Sequence, residues 1–163
     1  MAELTNIESK VAEVLGLAQA AQGATEKVAS LTMDEELKQQ LQQMKREAEE
    51  TEERTTELAG ELDGKKTAIL EKARETKQEA TEMMQTYLGD DADDLDGFEF
   101  LTMAEAAEVG HWQIVGKMNE RANLPGLQEL VRWATPIQRK HFETVQQGSL
   151  KLAAEEDPNE SEG

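Results

Sequence analysis

Apolar positions along this chain recur at alternating spacings of three and four, as in helices that bury one face, and they sort into five segments. The first predicted helix runs from about Thr5 to Leu31, with Ile7, Val11, Val14, Ala18, Ala21 and Val28 on one stripe, Thr25 as its polar member and Gly23 weakening its middle. The second opens at Thr32 or Asp34 as N-cap and runs to about Leu62, its stripe being Leu37, Leu41, Met44, Ala48, Thr51, Thr55, Leu58 and Leu62. Asp63-Gly64 ends it, and a weaker third helix follows over about Lys65 to Leu88, carrying Leu70, Ala73, Ala80, Met84 and Tyr87. Gly89 to Gly97, GDDADDLDG, interrupts the periodicity with glycine and massed acid and reads as a loop. A fourth helix is expected from about Phe98 to Asn123 and a fifth from about Pro125 to Ala154. The prediction is one all-α domain over residues 1–154, with a crossover helix at about 65–88, an acidic loop at 89–97 and a disordered acidic tail at 155–163. Short connections place neighbouring helices antiparallel, as in a bundle.

Composition narrows the chemistry. The 163 residues suffice for one domain with a full core, and the absence of cysteine removes thiol nucleophiles, thiolate metal sites and disulfides. A net charge of -18 repels nucleic acid and anionic lipid but leaves a basic ligand or a metal cation as a partner. No apolar run approaches the roughly 18 residues that span a bilayer, and the chain opens on an acidic stretch, so a soluble, cytoplasmic protein is expected. The acidic loop invites comparison with an EF-hand. With Gly97 as the obligatory glycine, however, the first ligand position falls on Ala92 and the bidentate glutamate position on Met103, so the pattern fails at both ends.

The polar interruptions of the apolar stripes are more informative. In the fourth helix the stripe reads Leu101, Ala104, Glu108, His111, Val115, Met118 and Ala122; in the fifth it reads Val131, Ala134, Gln138, His141, Val145, Gly148 and Leu152. An E-x-x-H and a Q-x-x-H pair thus occupy core positions, and they contain the only two histidines. Folding the two helices about a turn near Leu124-Pro125 brings His111 level with Gln138 and Glu108 level with His141, so the imidazoles are expected to face each other inside the bundle. The second helix offers Glu47, Glu50 and Thr51 to the same layer, and the first offers Glu13. Left unpaired, such groups cost several kcal/mol, so they must satisfy one another or bind a cation. Imidazole with carboxylate suits iron, manganese or zinc; a closed hydrogen-bond network that sets register is the alternative. Hydrolase chemistry has no serine beside a histidine to support it. Pro136 is expected to kink the fifth helix, the competing reading being a new helix capped by Thr135 with Gln138 closing the box. Gly110 and Gly116 suit close helix approach, Trp112 and Trp133 a bundle cap or dimer face, and the methionines core filling.

The segments MAEAAEVGHWQIVGKM (Met103 to Met118), LQELVRWATPIQRKHFETV (Leu127 to Val145) and EAEET (Glu47 to Thr51) resemble the ferritin-like superfamily, and within it the bacterial stress-associated ferritin-like bundles of unknown function. The resemblance runs from Ile7 to about Ala154 in helix order. It implies a four-helix bundle of two hairpins with the segment around Lys65 to Leu88 in the long crossover, and a homodimer or larger homo-oligomer. Metal-binding members take one Glu from each of helices one and three and E-x-x-H from each of helices two and four. Carried over, Glu108 matches the third-helix Glu and His141 the fourth-helix His. Gln138 stands where a Glu is expected, Glu47 and Glu50 where an E-x-x-H belongs, His111 is extra, and the first helix shows only Val14 and Ala18 at that height. These departures point away from a di-iron oxidoreductase, because the anionic ligands needed for two ions are not reached. The expectation is one transition-metal ion held by Glu108, His111, Gln138 and His141 with Glu47 or Glu50, in stress or metal handling, or a metal-free structural or interaction bundle.

Overall fold

A computed structural model describes residues 2–162; Met1 and Gly163, at the outer ends of the expected domain and tail, lie outside them. Five helices form, α1 Asn6–Leu31, α2 Glu35–Glu61, α3 Lys66–Tyr87, α4 Asp94–Ala122 and α5 Pro125–Glu155, and the described residues contain no strand. Local chemistry sets their starts. Thr5 and Glu8 exchange side-chain and backbone hydrogen bonds as a capping box before α1, and Asp34 accepts from the Leu37 amide before α2.

The start of α4 corrects the expected loop. Asp93 accepts from the Asp96 amide at 2.9 Å while Asp96 accepts from the Asp93 amide at 3.0 Å, so a second capping box starts the helix at Asp94 and not at Phe98. Asp94 and Asp96 then sit in the first turn, where the helix dipole favours negative charge. The massed acid is therefore in part a helix start. At the other end of α4, Asn123 adopts the left-handed conformation with φ 54°, and both amide atoms of Asn119 clamp the backbone of Leu124, at 3.0 and 3.1 Å. α5 begins at once at Pro125 and runs through Pro136 without a new start. The proposed Thr135 cap does not form: its hydroxyl is buried without a partner, and Gln138 is engaged elsewhere.

Contacts along the helices settle their directions. Lys45 of α2 pairs with Glu26 of α1, Lys151 of α5 with Asp34 at the head of α2, and Gly97 of α4 lies against Val28 of α1. α1, α2, α5 and α4 thus close a ring in which every neighbour is antiparallel. α3 stands outside the ring and runs parallel to α1, since Lys65 reaches Glu8 while Ala73 and Thr76 lie against Gly16. It carries the chain back to the end from which α4 sets out. α3 packs on α1 and meets α4 little; Ala68, Ile69 and Ala73 in its first half are buried and Leu88 closes its far end in the second of two apolar clusters, whereas Tyr87, expected on its apolar side, is 59% exposed with its ring 6.0 Å from that of Phe100.

The core falls into two apolar clusters. One holds Val11, Leu15, Leu58, Ile69, Trp112 and Leu127; the other holds Val28, Leu41, Met44, Phe98, Leu101 and Val145. Trp112, expected at a cap or a dimer face, is 1% exposed in the first cluster, while Trp133 is partly buried with the Arg54 guanidinium 4.2 Å above its ring. Gly116 meets Val131 of α5, as a close approach requires, but Gly110 has open space beside it and no helix approaches there. The residues after Glu155, up to Glu162, are exposed and form neither helix nor strand.

Candidate functional site

Between the two apolar clusters every helix of the ring changes character at the same height. α1 presents Ala18 and Ala21, α2 presents Ala48, Thr51 and Thr55, α4 presents Glu105 and Glu108, and α5 presents Gln138 and His141, all buried. The small residues of α1 and α2 leave the volume that the long polar side chains of α4 and α5 fill. The threonine hydroxyls are spent on their own helix: Thr51 donates to the Glu47 carbonyl and Thr55 to the Thr51 carbonyl.

On the α2–α5 side the layer holds two hydrogen-bonded pairs, with Glu105 and His141 adjacent between them. Gln138 Nε2 donates to Glu105 Oε2 at 2.8 Å, His141 Nδ1 lies 3.9 Å from the same oxygen, and His141 Nε2 lies 3.3 Å from Glu47 Oε1. Burial pushes the Glu105 carboxyl up to about 7 against the lowering effect of the Gln138 bond. Burial also lowers His141 below its ordinary value, opposed by Glu47, so the neutral ring with its proton on Nε2, donating to Glu47, fits these surroundings. Glu108, one turn along α4, is 5% exposed and makes no hydrogen bond or ion pair with the described residues. Its carboxyl is held well above the usual carboxylate range, by burial first and then by the Glu105 charge beside it.

Of the residues expected at this site, Gln138, His141, Glu108 and Glu47 come to the layer, while His111 and Glu50 do not. Glu50 is exposed and bonded to Arg54 at 2.9 Å. The His111 side chain is 33% exposed; its Nδ1 donates to the Ala107 carbonyl at 2.8 Å and its Nε2 lies 3.6 Å from Glu13 of α1. The two imidazoles therefore do not meet, since His141 looks toward α2 and His111 toward α1. Glu13, considered for the layer, stands at the surface with Lys10 and His111. The reason is the phase of α4. Its buried stripe is Leu101, Glu105, Glu108, Trp112, Val115 and Asn119, which shares Leu101, Glu108 and Val115 with the expected one but leaves Ala104, His111 and Met118 half-buried at its edge. Glu105 takes the place assigned to His111 and receives Gln138. Trp112, the largest side chain of α4, was the available signal for this phase.

No family model matches the chain, and no curated protein matches it either. What the site can do must be read from its own groups.

A metal ion is testable against these donors. Glu47 and Glu105 approach opposite edges of the His141 ring, so neither nitrogen shares a point with two carboxylates. Among the described residues no three His, Asp or Glu side chains are grouped to hold a metal ion. α1 contributes Ala18 and Ala21 at this height and no carboxylate, so the donor set of a di-iron centre does not fit. The arrangement can instead accept positive charge near two adjacent buried acids, Glu105 and Glu108.

Proposed function

We propose that the protein is a cation-binding helical bundle of ferritin-like architecture. The architecture is supported by the ring of four antiparallel helices with a long crossover between its hairpins. The function rests on one observation: a nearly buried carboxylate, Glu108, stands one turn from a second, Glu105, and has no hydrogen-bond or ion-pair partner among the described residues. Two acids in that setting repel each other and are desolvated, and an entering cation removes both penalties at once. Iron, manganese and zinc belong to this class, and so do ammonium groups. Isothermal titration of the untagged protein with Mn2+, Zn2+, Fe2+ and alkylammonium salts is the test. Binding of at least one cation by the native protein and its weakening in Glu108→Gln are expected; a native protein that binds none of them refutes the reading.

A second reading is favoured by the Gln138–Glu105 and His141–Glu47 hydrogen bonds, which tie α4 to α5 and α5 to α2 within the protein. Here the layer is metal-free and sets the register of the bundle. It predicts that His141→Leu changes stability and that no cation changes the melting temperature.

A further inference from the structure

Between α1, α3 and α4 lies a cavity of about 390 Å3, within the range of clefts that enclose small organic molecules. Its origin is in the sequence. α3 is drawn close to α1 where Gly16 admits Ala73 and Thr76, and beyond that point small side chains face the gap: Ala20 and Ala24 from α1, Ala80 from α3 and Ala104 from α4. Met84 and Leu17 complete an apolar wall.

The polar lining is unevenly placed. Glu13, Glu75, Glu79, Lys72 and His111 line the outer part, where acids outnumber the one lysine, and Glu105 and Glu108 line the buried part. Glu105 is engaged by Gln138; Glu108 has no hydrogen-bond partner among the described residues and lines the cavity. Ionised, Glu108 lacks a donor; protonated, it lacks an acceptor for its O–H. A buried acid left unpartnered in both forms, at the inner end of an apolar cavity with an acidic mouth, calls for a ligand that brings its own donor and its own positive charge.

We propose that this cavity binds an organic cation, an alkylammonium whose N–H group donates to Glu108 and whose hydrocarbon body lies along the alanines and Met84. The proposal rests on the cation-binding reading above and narrows it. A bare metal ion would find two carboxylates at the inner end, one of them already bonded, and no imidazole, since His111 is at the mouth and turned to Glu13. An anion would meet acids at every depth. A purely apolar molecule would fill the space but leave Glu108 as it is.

The test uses the full-length protein at neutral pH and moderate salt, titrated calorimetrically with octylammonium, octanoate, 1-octanol and Mn2+. Octylammonium is expected to bind one to one, 1-octanol at least 10-fold more weakly, and octanoate not at all. Glu108→Gln should weaken octylammonium at least 10-fold and leave 1-octanol unchanged. Ala80→Phe fills the cavity from the exposed helix without touching Glu108, and should abolish binding of both. Equal affinity for octylammonium and 1-octanol, or octylammonium binding unaffected by Ala80→Phe, overturns the proposal. If Mn2+ binds and octylammonium does not, the proposal fails while the cation-binding reading stands; if none of the cations, Zn2+ and Fe2+ included, binds, both fail.

Discussion

The two halves of the polar layer obey different rules. Toward α2 and α5, Glu105 and His141 are buried but connected, each within reach of a group that suits its protonation state. Toward α1 and α3, Glu108 is equally buried and has no such group among the described residues, while His111 at the cavity mouth is accessible, hydrogen-bonded to its own helix and 3.6 Å from Glu13. One side looks like a device for holding helices in place, and the other like a device waiting for something to hold. Residue type does not distinguish them, since each has a histidine and a buried glutamate; what differs is whether a neighbouring helix supplies that glutamate with a complementary atom.

The comparison can be broken most forcibly on its satisfied side. Gln138→Leu keeps volume but removes the donor to Glu105, and the unfolding free energy from urea denaturation at pH 7 should fall by about 3 to 4 kcal/mol. A change under 1 kcal/mol would show that the bond does not hold the layer.

The pH response is next in size. Glu105 titrates near 7 in the folded protein and near 4.5 when unfolded, and Glu108 is shifted in the same direction. The folded state therefore holds more protons between those values, and stability that is full below about pH 4.5 is lost as pH rises to about 7. Glu105 alone accounts for on the order of 3 kcal/mol. His141, lowered below 6.5, works the opposite way and adds stability as pH rises through its window. Melting temperatures from pH 4.5 to 8 should fall overall, and the double variant Glu105→Gln, Glu108→Gln should lose the slope. A wild-type curve that rises throughout would contradict the assignment.

Smaller effects sharpen the contrast. Glu108→Leu orphans no partner, so it should stabilise the ligand-free protein by about 1 to 2 kcal/mol, whereas Glu105→Leu, which orphans Gln138, should destabilise it. Should both substitutions act in the same direction, the two acids are equivalent and the contrast is false. His111→Ala, at the cavity mouth, should shift stability by less than about 0.5 kcal/mol, as judged by the same denaturation midpoint.

The stripes of α2 and α5 were legible almost residue by residue, because each of these helices buries one face and its polar members, Thr51, Thr55, Gln138 and His141, are flanked by unambiguous apolar ones. α4 was not. Its true stripe contains Glu105 and Asn119, so a reading that maximises apolar character rotates toward Ala104, Met118 and Ala122, and carries His111 inward with it. Glu108 lies on both stripes and survived the error. α1 is buried against three helices, so its single predicted stripe understated it and Leu15, Gly16 and Ala24 were left out. The acidic run before α4 was misread because aspartates favour loops and helix N-termini alike; the Asp93–Asp96 spacing marks the latter.

The position of α3 outside the ring has a bearing on how anything reaches Glu108. Of the three walls around that carboxylate, two belong to the closed ring and cannot part without breaching it. The third is α3 alone, held at Gly16 in its first half and at its far end by Leu88 and Met84 in the second apolar cluster and by Tyr87 against Phe100. Traffic to the acid therefore needs only the middle of one helix to yield between its two packed ends, and the amides of Lys77 to Met83 should exchange with solvent well before those of Ala68 to Ala73.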